Sequence, residues 1–241
     1  MIVVVFVDPP ETGRRYVEAL LDADVVDPPE ARTLYESAVT DVLRAARDSS
    51  AAVLVNYREP DGVSDPEDRV RSLVSTVIDD PDDVRFERQV GSSRSARVGN
   101  TVTHLLERED EVSVALLEPT VPLVRRTEID GVMMSVRRNE VVLGSNAAGD
   151  VYLSAYSQPI DFTDAYEPPT LATVTERASV EGLAVGFAPT IPTIETEAGL
   201  AATVATIEAR AAAGKPIPVS TSEAIEDLGL RTADGRTVTR D

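Results

Sequence analysis

The feature that most constrains the fold is the opening apolar run at Ile2–Val7, which reads IVVVFV. A strand that is apolar at every position has both faces buried, as in the centre of a parallel sheet covered by helices. Similar short runs recur at Ala51–Asn56, Glu111–Leu117 and Leu183–Phe187, and more weakly at Val84–Val90. Helical patterns separate them, which predicts repeated βαβ units in a Rossmann-like α/β fold with three αβα layers.

Several of the segments between the strands begin with recognisable helix starts. Asp27 followed by Pro28 and Glu30 predicts a capping box, and the helical pattern continues to about Asp48. The pair Asp65-Pro66 predicts a second helix start. A short helix is expected at Tyr16–Asp22. Further helices are expected on Val102, Leu105 and Leu106, from Thr127, over Pro168–Ala178, and from a cap at Thr196 to near Gly214.

No linker rich in Pro, Gly or Ser divides the 241 residues into comparable halves, so a single domain over residues 1–215 is expected. Residues 216–241 are expected to form a C-terminal extension with one short helix at Ser222–Leu228 and a frayed end. The stretch Val141–Tyr156 reads as two strands flanking one polar loop.

Ligands of mostly parallel sheets bind beyond the carboxyl ends of the strands. Five loops fall there: Asp8–Arg14, Tyr57–Ser64, Gly91–Arg97, Glu118–Pro122 and Ser145–Asp150.

The chain is strongly acidic, with a formal net charge of −19 and Lys215 as its single lysine. Such a surface repels phosphate backbones and anionic lipid headgroups, so neither nucleic acid nor a membrane is an expected partner. The composition resembles that of cytoplasmic proteins from salt-accumulating halophiles, although an acidic mesophilic protein has the same pattern. No run is long enough to span a membrane, and we expect a cytoplasmic location.

The chemistry open to the chain is limited because cysteine is absent and His104 is the single histidine. This excludes disulfides, thiolate catalysis and cysteine-bound zinc. His104 falls inside a predicted helix, where a surface position is a simpler interpretation than a catalytic base. A Ser/His/Asp hydrolase therefore has little support.

Two loops could contact an anion. In Gly91–Asn100, which reads GSSRSARVGN, Arg94 and backbone amides precede a helix, a setting that attracts phosphate, although an ordinary capped loop looks the same. The run Gly13-Arg14-Arg15 follows the first strand, and its guanidinium groups could reach a phosphate or pair with surface glutamates.

Three carboxylates stand at loop positions where a divalent cation could bridge phosphate oxygens: Glu118, Asp150 and Glu195. If they converge, Mg²⁺ or Mn²⁺ is the expected ion. Because the chain carries 42 acidic residues, three at loop ends are also expected by chance.

Taken together, the stretches FVDPPETGRR, ALLEPTVP and VVLGSNAAGDVYL resemble a glycosyltransferase-like family of unknown function with the nucleotide-diphospho-sugar transferase (GT-A) fold. Its distant relatives include phospholactate guanylyltransferase and the molybdenum-cofactor nucleotidyltransferases. The resemblance spans about residues 1–210.

The resemblance holds best at scaffold positions. Pro10, Gly13 and Arg14 match the family's Lys-x-Pro-x-x-Gly-Arg loop, and the Gln-containing loop before the middle helix is similar at Gln89, Gly91 and Gly99. Gly144, Gly149, Tyr152 and Leu153 match the later glycine-rich motif. The resemblance therefore implies a nucleotide-binding role for Gly13, Arg14, Gln89, Gly144 and Gly149, and Arg94 is added to them as the anion-binding candidate of the loop before the helix.

The chain departs from the family at charged positions. Asp8 replaces the lysine of the first loop, Leu117 replaces the acid of Gly-Ser-Asp-x-Pro-Thr-Leu-Pro, and Ala148 replaces the Asp of the glycine-rich motif. Only Glu118, Asp150 and Glu195 are left to bind a metal.

Two functions from different classes follow from this pattern. The first is a transferase-like protein that binds a nucleotide or nucleotide-sugar and transfers a glycosyl or nucleotidyl group with Mg²⁺ or Mn²⁺. The second is a binding or regulatory module that has lost the metal site. An unrelated doubly wound protein is a third possibility, and the oligomeric state is left open.

Overall fold

The computed structural model describes residues 1–78 and 84–240, and for Arg14 the backbone alone. Its strands are β1 (Ile2–Val7), β2 (Ala52–Tyr57), β3 (Arg85–Arg88), β4 (Val114–Leu117), β5 (Val141–Ser145), β6 (Val151–Tyr156), β7 (Val185–Phe187), β8 (Leu230–Arg231) and β9 (Thr239–Arg240). The first seven form one sheet in the order β3-β2-β1-β4-β6-β5-β7. Only β6 runs antiparallel to its neighbours within this sheet, which confirms the mostly parallel arrangement.

The helices are α1 (Pro10–Gly13), α2 (Glu18–Asp22), α3 (Pro28–Arg47), α4 (Pro66–Val74), α5 (Arg94–Glu107), α6 (Arg126–Ser135), α7 (Thr170–Val180), α8 (Glu197–Ala212) and α9 (Val219–Asp227). A 3-10 turn at Arg14–Val17 joins α1 to α2. Part of the predicted loop after β1 is therefore helical.

The side chains of β1 alternate between two cores. Val3, Val5 and Val7 pack in one core with residues of α3, α4, α6 and α8. Val4 and Phe6 pack in the other with residues of α5 and α7. Helices thus cover both faces of the sheet, and the predicted three-layer αβα fold is confirmed.

The two predicted Asp-Pro helix starts differ. At α3 the capping box forms, because the Asp27 side chain accepts from the Glu30 amide at 2.9 Å and the Glu30 carboxylate accepts from the Asp27 amide at 2.8 Å. Asp65 instead adopts φ of 51° and its side chain makes no capping hydrogen bond. The predicted helix start at Asp65-Pro66 is confirmed, since α4 begins at Pro66.

The segment Gly91–Asn100, which was predicted as a loop before a helix, is helical from Arg94 onwards. Helix α5 begins at Arg94, because the Ser93 side chain accepts a hydrogen bond from the Ala96 amide at 3.1 Å and so caps the helix. Arg94 and Arg97 consequently lie in the first turn of α5, about one turn apart on the same side.

The C-terminal residues pack against α3. The amides of Ser220 and Thr221, at the start of α9, donate to Asp41 at 3.2 and 2.7 Å. Strands β8 and β9 pair, and Arg240 lies 2.6 Å from Glu30, so the predicted fraying of the tail is wrong. The division at residue 215 stays a prediction.

Candidate functional site

A cavity of about 610 Å³ opens beyond the carboxyl ends of β1, β4 and β5, where the sequence placed the site. Its walls come from the loops after these strands, the first turn of α5 and the loop before α8. The residues that carry the following argument are Arg15, Tyr16, Arg94, Arg97, Glu118, Asn146, Asp150, Tyr166, Thr193 and Glu195.

Arg94 and Glu118 form a close ion pair inside the cavity. The Arg94 guanidinium also lies 5.6 Å from the ring centres of Phe6 and Tyr166, within the range of cation–π attraction. The Glu118 side chain is only 11% exposed. The first of the three candidate metal ligands is therefore already neutralised by an arginine.

Arg15 is held in the cavity wall by Asp8. The Nε of Arg15 lies 2.6 Å from Oδ2 of Asp8, whose side chain is fully buried. Tyr35 fixes the backbone of Asp8, because its hydroxyl accepts from the Asp8 amide at 2.8 Å and donates to the Asp8 carbonyl at 3.1 Å. The acid that replaces the family's lysine thus positions a neighbouring arginine.

Arg97 is a guanidinium without a partner. It lines the cavity and is partly buried, and within residues 1–78 and 84–240 its side chain makes no ion pair or hydrogen bond. Burial lowers the pKa of Arg97, and so do the positive charges of Arg15 and Arg94, while Tyr16 and Asp8 oppose this effect. Three guanidinium groups, those of Arg15, Arg94 and Arg97, therefore line one side of the cavity.

Glu195 and Asp150 lie on the cavity wall with a different set of contacts. The Glu195 carboxylate accepts from the hydroxyls of Thr120 and Thr193, at 2.7 and 3.4 Å. Burial raises the pKa of Glu195 above its usual value, and the negative charge of Asp150 adds to this effect. Asn146 organises the loop, since its side-chain oxygen accepts from the amide of Asp150 at 3.0 Å.

The predicted set of three metal ligands does not form. No group of three or more His, Asp or Glu side chains in the described part of the chain is arranged to hold a metal ion. Glu118 forms an ion pair with Arg94, so Asp150 and Glu195 are the two predicted metal ligands that remain. Because Mg²⁺ is often held by one or two carboxylates together with substrate phosphates, this pair fits a phosphate-bound divalent ion better than a protein-only site.

The predicted glycines lie outside the cavity lining. A Cβ on Gly13 would lie 2.0 Å from the Tyr35 ring, and one on Gly144 would lie 2.7 Å from the Tyr152 ring, so both allow close packing. Gly149 has φ of +88° in the turn between β5 and β6, a conformation that favours glycine.

Gln89 lies in a neighbouring cleft of about 410 Å³ that shares Arg97 with the main cavity. Its side chain donates to the Asn56 carbonyl at 2.8 Å. The Arg14 side chain falls outside the described part of the structure. His104 is exposed on α5, 2.9 Å from Glu109, in agreement with a surface role.

The structure therefore brings together Arg94, Glu118, Asp150 and Glu195 of the predicted site residues. Arg97 and Asn146 were not selected from the sequence. The spacing of Arg94 and Arg97 would have placed both on one face had the helix start at Ser93 been recognised. Asn146 carries no such signal.

No family model matches this sequence, and no curated protein does. Among solved structures, one from Desulfovibrio desulfuricans G20, whose name assigns it to the nucleotide-diphospho-sugar transferases, matches with a TM-score of 0.75 and 16% identity over 94% of each chain. A cytidylyltransferase from Leptospira borgpetersenii matches with a TM-score of 0.52 and 12% identity, over 94% of this chain and 93% of that one. The protein thus has the α/β fold of the nucleotide-diphospho-sugar transferases.

At identities of 16% and 12%, these matches establish a shared fold, not a shared activity. No helix in the ranges 1–78 and 84–240 has the length and apolar character needed to cross a membrane.

Proposed function

We propose that the protein binds a nucleotide or nucleotide-sugar in the main cavity, with the phosphates against Arg94, Arg97 and Arg15. The unpaired guanidinium of Arg97 is the observation that carries this proposal. It is partly buried and lies in the same cavity as Arg15 and Arg94, each of which already has a carboxylate partner, Asp8 and Glu118 respectively. A bound phosphate would offset the cost of burying the Arg97 charge and the repulsion between the guanidinium groups.

The first turn of α5 supports the same ligand. Arg94 and Arg97 belong to this turn, and the amino end of a helix attracts anions through its free amides and its dipole. The cytidylyltransferase that shares the fold is named for transfer of a cytidylyl group, which fits a nucleotide as the ligand class.

The neighbouring cleft gives the rest of the nucleotide a place to lie. Gln89 and Gly91 line it together with Arg97, so a phosphate on Arg97 can be continuous with a nucleoside in this cleft. A Cβ on Gly91 would lie 2.7 Å from the amide nitrogen of Arg97, so glycine permits the close approach of this loop. The predicted nucleotide-binding role of Gln89 is retained in the proposal.

A second candidate function is glycosyl or nucleotidyl transfer assisted by Mg²⁺ or Mn²⁺. It is favoured by the presence of two carboxylates, Asp150 and Glu195, in the lining of the same cavity, where a bound cation would offset their negative charge. An ion held there would neutralise phosphate charge during transfer. The pairing of Glu118 with Arg94 favours simple binding instead, because it removes one carboxylate from the set.

Calorimetry in molar KCl, with nucleoside triphosphates and UDP-glucose as ligands, tests the proposal. Arg97→Gln should weaken binding about tenfold or more, since it removes charged hydrogen bonds. Arg108→Gln, at the exposed residue that follows α5, is the matched control and should bind like the wild type. The proposal fails if the folded wild type binds no nucleotide or if the two variants behave alike.

Repeating the titration with Mn²⁺ separates the two candidate functions. Metal-assisted transfer requires that Mn²⁺ strengthen binding and that Glu195→Gln remove this gain. Binding of equal strength with and without Mn²⁺ supports the arginine site alone.

A further inference from the structure

A second cavity, of about 350 Å³, lies away from the strand ends. Its walls are the carboxyl-terminal half of α3, the segment 122–127 that leads into α6, the end of α8 and the segment 216–219. Arg210 lines it, and Thr196, at the start of the same helix α8, lines the first cavity. The rise along α8 separates these two residues by about 21 Å.

Positive charge dominates this cavity. Four arginines line it, against the two acidic residues Asp41 and Asp48. The Arg44 guanidinium lies 2.6 Å from Asp41, and Arg125 pairs with Glu128. Asp41 also accepts the amides at the start of α9, so its charge is already balanced.

The other two arginines, Arg126 and Arg210, make no ion pair in the described part of the chain, although Glu128 attracts the charge of Arg210. Arg126 is exposed at the start of α6. Arg210 makes one long contact, 3.5 Å from the Leu123 carbonyl. Burial lowers the pKa of Arg210, and the positive charge of Arg125 lowers it further, against an opposing effect of Glu128. Arg126 and Arg210 line the same cavity, so both guanidinium groups are available to an anion there.

The remaining wall is apolar. Pro122, Leu123, Ile217 and Val219 line the cavity, and the Val219 residue is 50% exposed. An apolar group placed against this wall would remove it from water, which is favourable at roughly 25 cal/mol per Å². The cavity therefore combines an unpaired positive end with a hydrophobic side.

We propose that this second cavity binds a small organic anion, with a phosphate or carboxylate head and an apolar body. The head lies between Arg126 and Arg210. The body lies against Ile217 and Val219. Neither part of the ligand uses the nucleotide site, so the proposal is independent of the function proposed above.

Two-dimensional NMR of the backbone amides tests the proposal directly, with phenyl phosphate, benzoate, inorganic phosphate and benzyl alcohol as probes. Phenyl phosphate or benzoate should shift the signals of Thr127 and Val219, while any phosphate bound in the main cavity is recognised separately by the signals of Asn146 and Thr193. Inorganic phosphate should bind this cavity at least about tenfold more weakly than phenyl phosphate, and benzyl alcohol should not bind. The stronger of phenyl phosphate and benzoate identifies the head group.

Arg210→Gln should reduce this affinity about tenfold or more, while Arg108→Gln should leave it unchanged. Because Arg210 lies at the edge of the fold, the variant should keep its melting temperature; if it does not, Arg126→Gln gives the same test. The proposal is overturned if the probes shift only signals around Arg97, if the apolar body has no effect on affinity, or if the arginine variants bind like the wild type.

Discussion

Glu195 has the most informative environment among the acidic residues of the main cavity. Its pKa is raised from the ordinary 4.5, first by burial and then by Asp150. A carboxyl group with a raised folded-state pKa makes the protein less stable as pH rises from about 4.5 through that folded-state pKa. The ionised form therefore carries a cost at neutral pH.

We expect Glu195→Gln to be more stable relative to the wild type at pH 7 than at pH 4. The glutamine can still accept the hydrogen bond of Thr120, so the main change is the loss of the buried charge. Urea unfolding at several pH values, with a chelator present, measures the difference in free energy of unfolding.

Glu181→Gln, at an exposed position, controls for the loss of one negative charge in an acidic protein. A stability difference between wild type and Glu195→Gln that is the same at every pH would contradict the assignment of a raised pKa to Glu195.

Individual site residues could be selected from the sequence, but their pairing could not. Arg94 was chosen because it precedes a helix, and Glu118 because it follows a strand. Their ion pair joins the first turn of α5 to the loop after β4, and these two segments come together only in the folded sheet. Arg97 was missed because its first-turn position depends on the Ser93 cap.

At the level of elements, α3 connects the capping box to the site. Its amino end is capped by Asp27, and about two turns further along it carries Tyr35, whose hydroxyl holds the backbone of Asp8 beside Arg15. Loss of the cap would expose backbone amides in the first turn of the longest helix.

We predict that Asp27→Ala lowers the free energy of unfolding by about 1 kcal/mol, because the side-chain acceptor of the cap is lost. Asp27→Asn keeps an acceptor oxygen and should stay close to the wild type. Denaturant unfolding of the three proteins under the same conditions measures both changes. Equal stability of the alanine and asparagine variants would show that the cap contributes nothing measurable.

The strands and helices were largely predictable because apolar periodicity reports burial, and burial is what the two cores of this sheet require. Local chemistry was less predictable. Asp65-Pro66 has the same sequence signature as Asp27-Pro28, yet its backbone turns left-handed and the side chain cannot reach the helix. The tail after α9 was predicted to fray because its two strands are only two residues each, too short to give a periodic sequence pattern.

For the whole molecule, charge is the dominant property. A net charge of −19 on 241 residues produces self-repulsion that opposes the compact state. In molar salt the Debye length falls to about 3 Å, so most of this repulsion is screened.

The melting temperature at pH 7 should therefore rise with KCl concentration and level off in the molar range. Scanning calorimetry in KCl and in NaCl measures the effect. Similar rises in both salts support screening, a rise in KCl alone indicates specific potassium binding, and a melting temperature independent of salt would contradict the prediction.

The two ends of the seven-stranded sheet have a consequence for solubility. Unpaired strand edges are templates for another chain, and such pairing leads to aggregation. At one edge, β3 carries charged side chains, with Arg85 2.5 Å from Glu109 and Arg88 2.8 Å from Glu59. At the other edge, β7 exposes Phe187 but is only three residues long. Charge at one end and shortness at the other disfavour pairing of either edge with a second sheet.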